Sequence, residues 1–371
     1  MPRETYLEID AKRLRHNLEV FRNLIHPSTQ ILANLKGNAY GMDAVLIGKF
    51  LETNGIKYFS VAFINEGIHL RNAGIKGNLL VFNPSMENFE ELLKYQLEPE
   101  VSSLHYLKKL IAFLNTKKIT NFPIHLKLDT GMHRAGIEPE ELKELISILF
   151  STKTIKVQSV FSHLAAAEDS NKKEFTQKQF ELFDKMTGLL QDQLKVPFFR
   201  HILNTAGVFN YPERQYDMIR PGLGIFGYNL IKEKQKDLLP IARLKTKINQ
   251  IKTLEKGESV GYNNRFIAPQ NETKIALLPI GYADGLSRNL GNGKWKVRIK
   301  NKNASIIGNV SMDTLSIDIS GLDCQIEDEV VIFDNQEDIY KMAELLNTIP
   351  YEITTRLTPR VEKRWKDQNM N

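Results

Sequence analysis

The chain has 371 residues, 42% of them hydrophobic and 25% charged, the balance of an ordinary folded protein and more than one core can use, since single cores stop growing at roughly 250 to 300 residues. Its formal charge of +6 comes from lysines and arginines interleaved with acids, which describes a mildly basic enzyme surface and excludes a nucleic-acid-binding stripe. One cysteine, Cys324, excludes an internal disulfide; with no apolar run near the ~20 residues of a membrane span and no charged-then-apolar opening segment, no membrane partner is expected and the cytoplasm is the expected address.

From about residue 30 to residue 220, short β-branched or apolar runs alternate with longer amphipathic stretches, the rhythm of repeated βα units. Strands are predicted at 31–35 (ILANL), 58–62 (YFSVA), 79–82 (LLVF), 98–102 (EPEVS), 124–128 (IHLKL), 156–161 (KVQSVF), 199–203 (FRHIL) and 216–219 (YDMI). Eight strands in such a rhythm predict an α/β fold, a (β/α)8 barrel of the TIM type. Helical spacing groups Leu14, Leu18, Phe21 and Ile25 on one face, and Phe175, Phe180, Phe183, Met186 and Leu189 on another, as core stripes. After about residue 240 the texture changes to short alternating strands (TKIALLPI, KWKVRIK, ASIIGNV, EVVIF) separated by Gly, Asn and Asp turns, which predicts a mostly β domain with a late helix at 337–346. The polar stretch 232–239 reads as a linker, and the basic run 360–366 as a short tail.

In a (β/α)8 barrel the active site lies at the C-terminal ends of the strands. There the sequence places Lys36 in LKGNAYG, Arg134 in KLDTGMHRAG, His163, the pair Asn204 and Thr205, and Arg220 leading into PGLGIFG. Taken alone, Lys36 is an ordinary loop lysine, PGLGIFG a plain glycine turn, and His163 and His201 ordinary strand-end histidines. Gathered on one rim they describe a cationic site. An amine beside Arg134 and Arg220 has a lowered pKa and becomes a nucleophile able to form a Schiff base with an aldehyde. Backbone amides around Gly222, Gly224 and Gly227 suit a phosphate, and Tyr40 and Tyr351 can each donate a hydroxyl to it. A lone cysteine and no close histidine pair give a zinc-type site little support, so no metal is expected.

These residues fall in segments that resemble the alanine racemase family, and the resemblance runs almost end to end: YLEIDAKRLRHNL, LKGNAYG, FSVAFINEGIHLRNAGI, KLDTGMHRAG, FSHLAAAED, ILNTAG, IRPGLGIFGY, VGYNNRF, LPIGYADGLSR, GNVSMDT and PYEITTRLTPRV, in the family's order. The resemblance implies a fold-type III pyridoxal phosphate (PLP) enzyme that interconverts L- and D-alanine, supplying D-alanine for peptidoglycan. It implies a barrel over residues 10–235 and a β domain formed by residues 1–9 and 236–371. It further implies that Lys36 carries the cofactor and serves as one base, while Tyr262, coming from the other subunit of a homodimer, serves as the second. Tyr40, Asn204, Thr205, Gly222, Leu223 and Tyr351 match positions around the phosphate. Arg134 and the backbone of Met312 match positions at the substrate carboxylate. Lys127 matches a lysine carbamylated in many members, and Tyr282 and Arg288 match the substrate entrance.

Arg220 matches the residue facing the cofactor's ring nitrogen. As a donor that stays charged, it would leave that nitrogen unprotonated and so suppress transamination. A free tyrosine is a poor base at neutral pH; the family's remedy is a hydrogen-bonded chain, here Tyr262, His163 and Arg220. The sequence departs from the family pattern at His133, Glu168, Asn309 and Ser311, which bears on the entrance and on substrate breadth. The rivals are a racemase of serine or of larger or cationic amino acids, a single-domain PLP-carrier protein, which would lack the VGYNNRF and IGYADG segments, and a D-amino-acid lyase, which would want a metal in the histidine-free second half.

Overall fold

A computed structural model of the protein describes residues 4–366, so the outer ends of the second domain's expected bounds, 1–3 and 367–371, lie outside the described residues. The chain opens with β1 (Tyr6–Ile9) and then winds eight parallel strands: β2 (Gln30–Asn34), β3 (Tyr58–Val61), β4 (Asn78–Val81), β5 (Glu98–Val101), β6 (Phe122–Lys127), β7 (Ile155–Phe161), β8 (Phe199–His201) and β9 (Met218–Ile219). All eight predicted barrel strands are present. Their order, β8-β7-β6-β5-β4-β3-β2-β9, leaves one seam between β8 and β9. Two backbone bonds bridge that seam, from Asp217 N–H to Arg200 O (3.1 Å) and from Arg220 N–H to Leu203 O (2.9 Å).

Because side chains alternate along a strand, each barrel strand offers one row to the outer helices and one to the lumen. The two rows have different chemistry. Leu32, Leu80 and Met218 form a small buried cluster apart from the main core, with Tyr58, Phe82 and Phe199 against it. Elsewhere in the barrel the alternate positions are polar: Glu100, His125, Lys127, Ser159 and His201 are all buried.

Asp10 starts the first helix (Ala11–Leu24) by accepting hydrogen bonds from the amides of Lys12 and Arg13 (both 3.1 Å), and Leu14, Leu18 and Phe21 face the core. In helix Lys173–Leu194 the expected stripe needs correction, since Phe175 and Leu189 are exposed while Phe180, Phe183, Met186 and Leu190 are buried. At 3.6 residues per turn, positions five before and nine after Phe180 point well away from its face.

The second domain is a nine-stranded sheet. Its strands Thr273–Leu278, Lys296–Ile299, Lys302–Ile307 and Glu329–Phe333 and its helix Gln336–Leu345 correspond to the predicted alternating runs and late helix. β1 lies in this sheet, antiparallel to β10 (Ala242–Lys247) and parallel to Glu362–Trp365. The basic run expected as a tail is thus an edge strand. It is held by the Lys366 amide on Ile9 O (2.8 Å), Trp365 against Phe50 (centroids 5.5 Å) and Arg364 over the Tyr6 ring (4.6 Å).

The stretch expected as a polar linker is a 3-10 turn, Lys232–Asp237. Its Gln235 is buried and donates to Gly227 O (2.9 Å) while accepting from Tyr340 (2.6 Å), so the connection is packed against both domains. Among the described residues, no helix is long and apolar enough to cross a membrane.

Candidate active site

At the end of β2 the backbone turns left-handed. Gly37, Asn38, Ala39 and Tyr40 have φ of 60°, 53°, 52° and 57°, a conformation that costs roughly 1–2 kcal/mol per non-glycine residue. The surroundings hold it. Ala39 N–H bonds to Leu35 O (2.7 Å) and Gly41 N–H to Gly37 O (2.9 Å), while Asn38 Oδ1 accepts from Ala44 N–H (2.8 Å). One oxygen of Glu66 accepts from Gly37 N–H and the other from Ala62 N–H, each at 2.7 Å. Gly41, at φ 87°, lies against the backbone of helix Pro350–Thr355, where a Cβ would run into the Thr354 carbonyl. This close approach brings Tyr351 from the second domain to the barrel rim, its ring 5.9 Å from that of Tyr40.

The turn sets Lys36 on a cavity of about 450 Å³ whose lining also includes Tyr40, Lys127, Arg134, His163, Asn204, Thr205, Arg220, Gly222 and Tyr351. Ten of the sequence-predicted residues thus share one space. Burial pulls the Lys36 pKa down, and the charges of Arg134, Arg220 and Lys127 pull it further.

Arg220 is buried, which pulls its pKa down to about 9 and still leaves it charged at neutral pH. Its guanidinium meets His201 Nδ1 (2.6 Å), Ser162 O (2.6 Å) and His163 Nδ1 (3.3 Å). Burial, followed by the Arg220 charge, holds both histidines well below their ordinary pKa and therefore neutral. Lys127 pairs with Glu100 (3.3 Å), whose desolvation outweighs the attraction of Lys127 and raises its carboxyl to about 7.

At the opposite wall Thr205 Oγ1 accepts from the amides of Gly222 (3.0 Å) and Gly224 (3.3 Å), drawing the glycine turn inward. A Cβ on Gly222 would sit 2.6 Å from the Tyr40 hydroxyl. Burial raises the Tyr40 phenol and pushes Tyr351 up to about 12, so both remain hydroxyl donors. Asn204 spends its Oδ1 capping helix Thr205–Asn210 through Gly207 N–H (2.9 Å), and Leu223 is buried behind the turn.

Tyr262, Met312, Tyr282 and Arg288 do not line the cavity. Tyr262 sits at the tip of the ribbon Ser259–Val260/Phe266–Ile267 and is 68% exposed; Met312 and Tyr282 are 53% and 41% exposed. They belong to one surface of the second domain. Asn309 Nδ2 bonds Tyr262 O (3.0 Å), and the amides of Tyr282 and Ala283 bond Ser311 O and Met312 O (3.0 Å each). Within one chain, then, Arg220 and His163 meet and Tyr262 does not join them.

Sequence reasoning missed Asn34, Phe82, Asn83 and Phe161 in the lining, and Glu66 and Glu100 behind it. The signal for Glu100 was available: two acids at alternate positions of a short strand, Glu98 and Glu100, must share a face. Glu66 gave none, because its role depends on a turn nearly thirty residues away. Asp129, His133 and Glu138 bring one potential ligand atom each within 4.8 Å of one another. Asp129 already accepts from the amides of Gly131 (2.8 Å) and His133 (3.2 Å), which folds the loop leading to Arg134.

A parallel βα barrel with an amine nucleophile on its rim, joined to a β domain, has the architecture of an enzyme, and its likeness to known proteins makes it an isomerase of the amino-acid racemase class. Residues 9–230 match the family model for the alanine racemase N-terminal domain and residues 241–365 that for the C-terminal domain. The alanine racemase of Helicobacter acinonychis is 35% identical over 377 aligned residues, covering 97% of this chain and 98% of that one. Among solved structures, the alanine racemase of Clostridium difficile 630 has a TM-score of 0.91 at 30% identity, covering 97% of this chain and 95% of that one. The alanine racemase of Bartonella henselae, solved with covalently bound pyridoxal phosphate, has a TM-score of 0.87 at 26% identity, covering 98% of this chain and 100% of that one. The chain belongs to the alanine racemase family, and its reaction is the interconversion of L- and D-alanine.

Proposed function

We propose that racemisation uses pyridoxal phosphate carried on Lys36, with the Cα proton of alanine moved by Lys36 on one face and by Tyr262 of the partner subunit on the other. The observation that carries this reading is the Lys36 amine, which burial and three neighbouring cations hold at a lowered pKa and so make nucleophilic. The cavity fits the cofactor. Gly222 leaves room where a Cβ would collide with Tyr40, and the Tyr40 and Tyr351 hydroxyls offer donors to a phosphate beside the glycine turn, whose Gly222, Gly224 and Gly227 amides are spent on Thr205 Oγ1 and Gly224 O rather than left free for it. When bound, the cofactor would acidify the Cα proton by delocalising the charge left behind.

The chain's own residues do the rest. Arg134 would hold the substrate carboxylate, beside the Met312 backbone of the second domain. Arg220, charged and donor-only, would keep a ring nitrogen next to it unprotonated. His163 is neutral and spends Nδ1 on Arg220, which leaves its N–H on Nε2 to support the partner's Tyr262. The exposure of Tyr262, Met312 and Tyr282 on one surface supports a homodimer in which that surface completes the other subunit's site. Tyr282 and Arg288 would line its entrance.

We place the reaction in the cytoplasm, where a chain with one free cysteine needs no oxidising compartment, supplying D-alanine to peptidoglycan. The test is incubation of the purified protein with L-alanine and, separately, other L-amino acids, with and without added PLP, followed by chiral separation. PLP-dependent formation of D-alanine is expected; D-serine without D-alanine would point to the rival racemase, and no D-alanine with PLP present would sink the reading.

A further inference from the structure

Behind the cavity a row of buried polar side chains descends through the barrel. Arg220 Nη1 lies 2.6 Å from His201 Nδ1, and His201 Nε2 lies 2.8 Å from Ser159 Oγ. Ser159 Oγ lies 2.6 Å from His125 Nδ1, and His125 Nε2 lies 2.7 Å from Glu98 Oε2. His125, Ser159 and His201 are buried, and the His201 ring stacks flat on Phe161 with centroids 5.0 Å apart, which fixes its plane. Glu98 is the first residue of β5 and so stands toward the N-terminal face of the barrel, away from the site.

The direction of the first two bonds in this row follows from the Arg220 end. A guanidinium only donates, so His201 Nδ1 accepts and carries no proton. His201 is neutral, so its proton is on Nε2 and is donated to Ser159 Oγ. The Ser159 hydroxyl proton is then free to serve His125 Nδ1 (2.6 Å), an arrangement that leaves the His125 N–H on Nε2, directed at the Glu98 carboxylate.

We propose that Glu98, His125 and Ser159 are positioning residues for the racemase reaction, forming with His201 a one-way hydrogen-bonded chain that anchors the Arg220 guanidinium from the opposite face of the barrel. Each donor in such a chain polarises the next in the same sense. The chain ends in a cation at the site and an anion at the far face, so its dipoles are aligned by both charges. The competing arrangement has Ser159 accepting from both rings, with His125 protonated on both nitrogens. The row is then cut into two halves, and Glu98 has no hold on Arg220. The two arrangements differ in whether His125 Nδ1 bears hydrogen.

The kinetic consequence rests on Arg220 acting in racemisation as described above, whereas the tautomers do not. Imidazole 15N spectra of the histidine-labelled holoenzyme at pH 7, assigned with His125→Asn and His201→Asn, are expected to show both rings as neutral Nε2–H tautomers. Ser159→Ala is expected to lower kcat about tenfold with the KM for alanine little changed, and Ser159→Thr, which keeps the hydroxyl, to restore it to within about twofold of the native value. Glu98→Ala should lose more than Glu98→Gln, which keeps an acceptor. A proton on Nδ1 of either histidine in the native enzyme would overturn the proposal, as would a native kcat in Ser159→Ala. An absence of racemisation in the native protein with PLP would instead sink the functional reading, leaving the spectra to decide the chain.

Discussion

Around the Lys36 amine the charges do not cancel. Lys127, Arg134 and Arg220 all lower its pKa, and the buried acid that faces these cations, Glu100, has one oxygen 3.3 Å from Lys127 and the other with no hydrogen-bond partner among the described residues. Burial therefore wins at Glu100, and its proton is held up to about pH 7 in the folded protein. The unfolded chain releases the same proton near the ordinary value of about 4.3. Across that window the folded state binds more protons, so its stability is full below about pH 4.3 and falls as pH rises through 7. Glu100→Gln, which carries no such proton, is expected to gain stability relative to the native protein between pH 5 and pH 8, by about 3 kcal/mol at most. Chemical unfolding at the two pH values checks this; a pH-independent difference would mean that Glu100 is ionised throughout.

At the scale of the element, the site depends on a left-handed turn leaning on a short helix from the other domain. Gly41 combines a positive φ of 87° with an approach to the Thr354 carbonyl that no side chain permits, whereas Gly74, at φ 93°, has open space around it. Alanine at Gly74 tests the conformational cost alone, about 1 kcal/mol. Alanine at Gly41 adds the collision, displaces helix Pro350–Thr355 and draws Tyr351 from the cavity. Thermal unfolding is expected to show Gly41→Ala losing at least about 2 kcal/mol more than Gly74→Ala, together with weaker PLP retention on dialysis. Equal losses would show that the helix yields without strain. Reading the sequence found LKGNAYG and PYEITT as separate segments; that one packs on the other follows from backbone geometry that no local pattern encodes.

For the molecule as a whole, the separation of Lys36 from the exposed Tyr262 makes assembly a chemical question. If each site takes Lys36 from one subunit and Tyr262 from the other, Lys36→Ala and Tyr262→Phe mixed after separate purification, with subunit exchange allowed, will form heterodimers holding one site with both bases. Two inactive preparations are then expected to recover about a quarter of native activity, because half of the dimers carry one good site of two. Activity that stays at the level of the parents would place both bases on one chain.

The sequence by itself determined the barrel strands, the alternating strands of the second domain and the residues of the cationic rim, because those rest on local periodicity and on motifs contained in a few consecutive residues. It misread what depends on distant partners. The basic run near the end becomes a strand only because β1, more than 350 residues earlier, offers it an edge, and Gln235, in the polar stretch after the barrel, is buried because it meets Gly227 and Tyr340. Phe175 and Leu189 were misplaced by hydrophobicity alone, which does not say which neighbours arrive. Only the tertiary structure decided that Glu100 lies under the cations, that Glu66 fixes the Lys36 turn and that Arg220 is held by two neutral histidines. Burial and proximity, the causes of each of those effects, arise from the closing of the barrel.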